Sequence, residues 1–212
     1  MRASFASICL LLAMSMSGCS ILAAQPDDSR FFTLVAMPGE PPTADAGGGG
    51  ASYGIGPITL PAYLDRNEVA IRVSPSEIAF SLTDRWAESL SAGVSRVLLQ
   101  NLSRMLGTDR IAVYPWVGEF RVDYQVRLEV LQLDCDRQGL GRLDARWGIF
   151  DGGSGRPLVL RTSRYEQPAK SESGPDRTAA LSATLTRLSE DIAAALRDLP
   201  TPAEKGRSAR QG

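Results

Sequence analysis

Over residues 122–130 the chain alternates strictly. Val122, Tyr124, Val126, Leu128 and Val130 are apolar, and Asp123, Gln125, Arg127 and Glu129 stand between them. A period of two is the side-chain repeat of a β-strand with one buried face. Past Val130 the phase slips to Leu131 and Leu133, which predicts a β-bulge at Val130-Leu131. Leu143, Ala145, Trp147 and Ile149 alternate with Asp144, Arg146 and Gly148 and predict the partner strand. Asp151-Gly152-Gly153-Ser154-Gly155 predicts a hairpin loop, with residues 158–165 as the third strand of a meander.

A second repeat points to helices. Trp86, Leu90, Val94, Val97, Leu98, Asn101, Leu102 and Met105 recur at steps of three and four, the pattern of one buried helix face. Asp84 or Thr83 is the expected N-cap, and Gly107 the C-terminal stop. A last helix is expected from Pro175-Asp176, with Leu181, Thr184, Leu185, Leu188, Ile192 and Leu196 inward and Pro200 beyond its end. Shorter β-type runs lie at 31–35, 53–61, 69–73, 78–80 and 111–114. Residues 37–52 carry Pro38, Pro41, Pro42 and four consecutive glycines from Gly47, and predict a loop. A phosphate cradle is the sharper alternative, but no lysine or strand-to-helix context accompanies those glycines. Strands, helix, strands, helix is the order of an α/β chain: one mixed sheet with helices packed on it.

Composition narrows the chemistry. The 212 residues suffice for one good-sized core, and 23 basic against 24 acidic side chains give no electrostatic case for a nucleic-acid partner. The chain has no histidine, which removes Ser-His-Asp and Cys-His nucleophiles, His-ligated metal sites and the usual neutral-pH proton shuttle. Its lysines, Lys170 and Lys205, stand outside any Walker-type sequence. Carboxylate chemistry survives, with Asp134 and Asp136 or Glu129 and Asp144 as conceivable pairs. Charges alternating along strands are the ordinary mark of a solvated sheet face, so the chain is expected not to be an enzyme, and no metal or cofactor is expected. Cys135, between two aspartates, reads as an unreactive turn residue.

The N-terminus has its own logic. Met1-Arg2 precedes an apolar run over 5–16 of about a dozen residues, shorter than the roughly 20 that span a bilayer. It reads as a secretory h-region. Met16-Ser17-Gly18-Cys19 then resembles a bacterial lipobox, which implies acylation of Cys19 and cleavage before it. Ser20 stands where an aspartate would mark inner-membrane retention, so the expected destination is the inner leaflet of the outer membrane. The expected organisation is a signal peptide over 1–18, a tether over 19–29, one domain over 30–199 and a disordered tail over 200–212.

Several segments together resemble the PqiC (YmbA-like) family of ABC-transport auxiliary lipoproteins. They are Ile55-Gly56-Pro57-Ile58-Thr59-Leu60-Pro61-Ala62-Tyr63-Leu64-Asp65-Arg66, Asp84-Arg85-Trp86-Ala87-Glu88, Asn101-Leu102 through Leu106-Gly107, Tyr114-Pro115-Trp116 and Ala145-Arg146-Trp147. The resemblance implies a single anticodon-binding-domain-like α/β domain, with helices on both faces of a mixed sheet. It also implies a periplasm-facing outer-membrane lipoprotein that partners an MCE-domain protein of the PqiB type in moving lipids between membranes. Homo-oligomeric rings are implied too. An envelope-assembly lipoprotein acting without an MCE partner is the alternative.

Asp65, Arg66, Arg85 and Glu88, together with Tyr114 and Trp116, are the candidate partner or subunit contacts. The charged four either form intersubunit salt bridges or fix the loop after the second strand and the first helical turn, where Asp84 suits the helix dipole. Trp86 reads as core. Tyr114-Pro115-Trp116 either caps the sheet or presents an amphipathic anchor, and the residues alone leave both open. Asn101 is expected to bond backbone near its own turn.

Overall fold

The computed structural model describes residues 27–40, 42, 50–116, 118 and 120–201. The elements run β1 (Arg30–Phe32), β2 (Tyr53–Thr59), a 3-10 turn (Ala62–Leu64), β3 (Glu68–Ser74), β4 (Glu77–Trp86), α1 (Leu90–Leu106), β5 (Ile111–Val113), β6 (Tyr124–Asp136), β7 (Leu140–Asp151), β8 (Pro157–Pro168) and α2 (Gly174–Arg197). Cys19, the signal peptide, most of the tether and the tail beyond Thr201 lie outside the described residues.

The alternating strand is β6, the spine of one eight-stranded mixed sheet. Along one edge it pairs antiparallel with β7, which pairs antiparallel with β8. Its other edge is shared: β2 runs parallel to it from Tyr124 to Glu129, and β3 joins parallel at Cys135 and Asp136. The sheet therefore forks. One branch continues from β2 to β5, the other from β3 through β4 to β1. The expected bulge is present, as a register shift between Val130 and Gln132. It falls where β6 changes partner, and the extra residue lets the strand bend between the branches.

The apolar phases converge on one side. Ile55, Tyr124, Val126, Leu143 and Ile149 from the sheet meet Val94, Val97, Leu98 and Leu102 of α1 and Leu185, Leu188 and Ile192 of α2, all essentially solvent-free. Each such aliphatic side chain contributes about 1.5–3 kcal/mol by leaving water. The α/β class and mixed sheet match expectation; helices on both faces do not. The two helices pack against each other, Asn101 Nδ2 donating to Ser189 Oγ at 3.1 Å, and so share one face. The reason lies in the strands, whose outward phase is mostly polar and gives a helix little to bury along the charged half of the second face. Among the described residues no helix is long and apolar enough to cross a membrane.

Four local expectations are corrected. β4 extends through Trp86, so neither Thr83 nor Asp84 caps α1; Ser89 does, its Oγ accepting from Ala92 N at 3.3 Å. Asp84 instead faces Arg30 across β1 and β4, at 2.6 Å. Trp86 is core as expected, but reaches it from the end of a strand. The run at 31–35 is a strand only to Phe32, because the following residues find their partners on helices. Leu34 is buried, Val35 N donates to Ser182 Oγ, and Met37 N donates to Asn101 Oδ1 at 2.8 Å. Asn101 thus holds a distant segment and not its own turn. Cys135 is no turn residue either: it lies in β6, buried, with Sγ 3.6 Å from the Arg177 carbonyl. Burial above all pushes its thiol up to about 12. Gly107, at φ 66°, closes α1 in the left-handed conformation that favours glycine.

Candidate partner-binding face

The polar phases of the strands form the face that no helix covers. Register sets its rows: Gln125 beside Phe150; Arg127 beside Gly148 and Leu160; Glu129 beside Arg146 and Thr162; Gln132 beside Asp144 and Arg164; Asp134 beside Arg142 and Glu166. The rows divide into a charged half and an apolar half.

In the charged half each acid meets an arginine. Glu129 pairs with Arg146 at 3.4 Å, Asp144 with Arg164 at 2.7 Å, and Glu166 with Arg142 at 3.0 Å. Arg142 also reaches Asp136 at 3.5 Å. The carboxylates considered for catalysis are thus held by guanidinium groups. Asp134 closes the fork. Only 1% of its side chain is exposed, and it accepts from Arg72 Nε and Nη2 at 3.1 and 2.7 Å, Tyr63 Oη at 2.9 Å and Gln132 Nε2 at 2.8 Å. Tyr63 comes from the 3-10 turn between the branches. Burial first, then the neighbouring Asp134 carboxylate, pushes its phenol well above the ordinary value.

In the apolar half small residues let large ones lie flat. A Cβ on Gly148 would stand 2.7 Å from Leu160 Cδ2 and 3.0 Å from Phe150 Cε2, so both side chains close over bare backbone. A Cβ on Gly54 would stand 2.6 Å from Trp116 Cζ3, so the indole covers that strand. Tyr114 meets Trp116 edge to face at 5.4 Å between centroids, and is half exposed. Arg127 lies 4.2 Å over the Phe150 ring, a cation–π contact. Leu160, 68% exposed, borders a shallow cavity of about 460 Å³ with Pro57, Phe150, Arg127 and Arg161.

The expected contact residues fall into three places. Tyr114 and Trp116 come together on the apolar half, combining the sheet-capping and surface-presenting readings. Arg66 and Arg85 meet around Glu68 on the other branch: Arg66 pairs with Glu68 at 3.2 Å and stacks 4.2 Å over Phe80, while Arg85 stands opposite Glu68 and donates to Ser29 Oγ. Asp65 is exposed at the end of the 3-10 turn. Glu88 stands apart, on the helix side, where Arg96 binds it at 2.5 Å and also donates to the Leu34 carbonyl. Arg127, Phe150 and Leu160 were not among the expected contacts. Their signal was Gly148 and Phe150, small and aromatic residues in the phase that elsewhere in β7 is charged.

A forked mixed sheet, two helices on one face and an amphipathic bare face define the class: an open-sheet α/β domain with one sheet face left uncovered by helices among the described residues. A family model described as the ABC-type transport auxiliary lipoprotein component matches residues 32–193. The chain belongs to this family. A crystal structure of an uncharacterized protein superposes with a TM-score of 0.65 at 16% identity, over 79% of this chain and 98% of that one. Protein XCC0632 from Xanthomonas campestris superposes with a TM-score of 0.61 at 14% identity, over 77% of this chain and 92% of that one. These likenesses show the shared fold. No curated protein sequence matches the chain.

Proposed function

We propose that the chain is a non-catalytic outer-membrane lipoprotein that serves an MCE-type system moving lipids between membranes and thereby supports envelope integrity. The observation that carries this reading is the family match over 32–193, which takes in every element from β2 to β8 and most of α2. The lipobox-like Met16-Ser17-Gly18-Cys19 supports an acyl anchor, and a bare face with an aromatic pair supports a docking role. Interfaces are enriched in tyrosine, tryptophan and arginine, the residues gathered on the apolar half. In this reading Tyr114 and Trp116 seat an MCE-domain protein of the PqiB type. Asp65, Arg66 and Arg85 on the other branch meet neighbouring copies in a homo-oligomeric ring. Cys19 carries the acyl chains, and the domain occupies the periplasm.

The test is a photo-cross-linker placed at Tyr114 in the full chain at native expression. An adduct with the MCE-domain protein is expected at this position and not at Glu190, exposed on α2. Absence of that adduct, with the partner present in the same envelope, sinks the assignment.

A further inference from the structure

Along the path β1-β4-β3-β6-β7-β8 the outermost strands are β1 and β8, and each pairs on one side only. Unpaired N–H and C=O groups along such an edge are a template for another strand. On β8, Val159 and Gln167 turn their carbonyls toward Gly148 and Gly141 of β7, and Ala169 N donates to the Gly139 carbonyl. The odd-numbered residues thus bond inward. Leu160, Thr162 and Arg164 aim their backbone groups outward, where no described group meets them, and the outward carbonyl of Glu166 accepts from Arg187 Nη1 at 3.2 Å. On β1, Ala87 N donates to the Phe32 carbonyl, so Arg30 and Phe32 bond to β4 and Phe31 bonds outward.

The two edges match. By the pairings between them, β8 runs with β6 and β1 runs against it, so β8 of one copy meets β1 of another antiparallel, with the sheet continuing through both. Leu160 stands on the bare face beside Gly148, and Phe31 beside Arg85, in the phase opposite the buried Trp86. Outward backbone groups and side chains on one face are what an antiparallel hydrogen-bonded pair requires. Both side chains are open to solvent, at 68% and 63%.

Charge selects the same partner. With Phe31 of the next copy opposite Leu160, its Asp27 falls opposite Arg164 and its Asp28 opposite Ser163, between Arg161 and Tyr165. Arg161 and Arg187 have no carboxylate partner among the described residues. They rest 5.5 Å over the Trp147 and Tyr165 rings, and Asp191 is taken by Tyr165 Oη at 2.5 Å. Opposite charges on facing strands stabilise the pair. Arg30 falls opposite Arg161, but each guanidinium leans back over its own sheet, Arg30 to Asp84 at 2.6 Å and Arg161 to Trp147. A second β8 in the same place brings Arg161 and Arg187 against like charges and leaves Phe31 in water.

We propose that β8 of each copy adds antiparallel to β1 of the next, with Leu160 opposite Phe31. The proposal rests on the ring reading above and deepens it by naming the two edges that meet; Arg85, assigned there to the contact between copies, stands beside Phe31. The contact is head-to-tail, so one copy uses both edges and the assembly grows past a dimer until it closes.

The experiment uses the full chain in its own envelope, carrying Ser29→Cys with Thr162→Cys and, in a second variant, Phe31→Cys with Leu160→Cys. Positions 31, 160 and 162 are exposed, and either pair suffices should the other fold poorly. Cys135 is buried and gives no background. After oxidation, a non-reducing gel is expected to show a ladder through dimer, trimer and beyond for each pair. Each single variant, and Glu190→Cys with Thr162→Cys, is expected to stay monomeric. Adding Leu160→Glu to the first pair is expected to cut the ladder about tenfold. No ladder from either pair, a ladder that stops at dimer, a dimer from Thr162→Cys or Ser29→Cys alone, or indifference to Leu160→Glu each overturn the proposal. Native mass spectrometry of the detergent-extracted natural chain is read in parallel. An assembly larger than a dimer there, without the ladder, removes the β8–β1 contact and leaves the ring reading standing, whereas a monomer removes both.

Discussion

Replacing Arg72 by methionine tests whether the fork of the sheet depends on a buried charge. Methionine keeps the stem that packs on β3 and removes the two hydrogen bonds, at 3.1 and 2.7 Å, that the guanidinium gives Asp134. The carboxylate has only 1% of its side chain exposed, so water cannot replace the lost partner. Removing one member of a buried ion pair costs about 3–5 kcal/mol, because the other charge stays behind uncompensated. Tyr63 Oη and Gln132 Nε2 still bind Asp134, which puts the expected loss near the lower end, about 3 kcal/mol. Against a total of about 5–15 kcal/mol for an ordinary domain, that is a large fraction. Urea unfolding followed by the fluorescence of the buried Trp86 and Trp147 measures it. Adding Asp134→Leu removes the stranded charge, and the double variant is expected to recover about 2 kcal/mol relative to the additive sum. Because β3 meets β6 only at Ile71–Cys135 and Arg72–Asp136, hydrogen exchange in Arg72→Met is expected to rise in β3 and β4 before β7 and β8. A loss below about 1 kcal/mol, or strict additivity, refutes the reasoning.

Three further outcomes are expected. Gly152→Ala places a Cβ 1.7 Å from the Val122 carbonyl oxygen, a backbone atom that cannot swing away, and should cost about 3 kcal/mol, read as a fall in urea midpoint. Burial chiefly holds Cys135 and Tyr165 up to about 12, so the unfolded chain ionises at lower pH than the folded one; their contribution is intact below about pH 9 and is lost as pH rises toward 12. The urea midpoint should therefore fall between pH 8 and pH 11, less steeply in Cys135→Ala, and a midpoint flat across that range contradicts the assignment. Cys19→Ala should release the protein from the membrane fraction into the periplasm, and unchanged fractionation removes the acyl anchor from the picture.

How much of this was legible depended on the range of each interaction. β6 and β7 could be read residue by residue because each buries one face, so the alternation in the sequence is the alternation in space. Even the bulge was visible as a slipped phase. Trp86 misled because its four-residue step to Leu90 copies the helical repeat across a strand–helix junction. Asp84 misled because an acid before a helix looks like a cap until Arg30 arrives from a strand 54 positions away. The fork could not be read at all: Arg72 and Asp134 are 62 residues apart, and nothing local in either marks the other. The apolar half was present in the sequence as exceptions. Gly148 and Phe150 break the charged phase of β7, and a reading that seeks the regular pattern passes over the residues that depart from it. Helices on both faces came from the resemblance, whereas the polar phase of the strands already argued for one bare face.

The fork also decides how anchor and face relate. β1, which receives the chain from the expected tether, sits at one edge of the sheet, and β8, which carries Leu160 and Arg161, sits at the other. Between them lie β4, β3, β6 and β7, five strand spacings, or roughly 24 Å at about 4.8 Å each. The segment after β1 cannot swing to shorten that distance, because Leu34 is buried and Val35 and Met37 are hydrogen-bonded to the two helices. The start of β1 and Leu160 on β8 thus stand at opposite edges of the sheet. Exposed apolar side chains are not confined to the β8 edge: Phe31, Val35 and Leu82, on β1, the segment after it and the adjoining β4, are exposed as well, so the sheet offers apolar contacts at both edges.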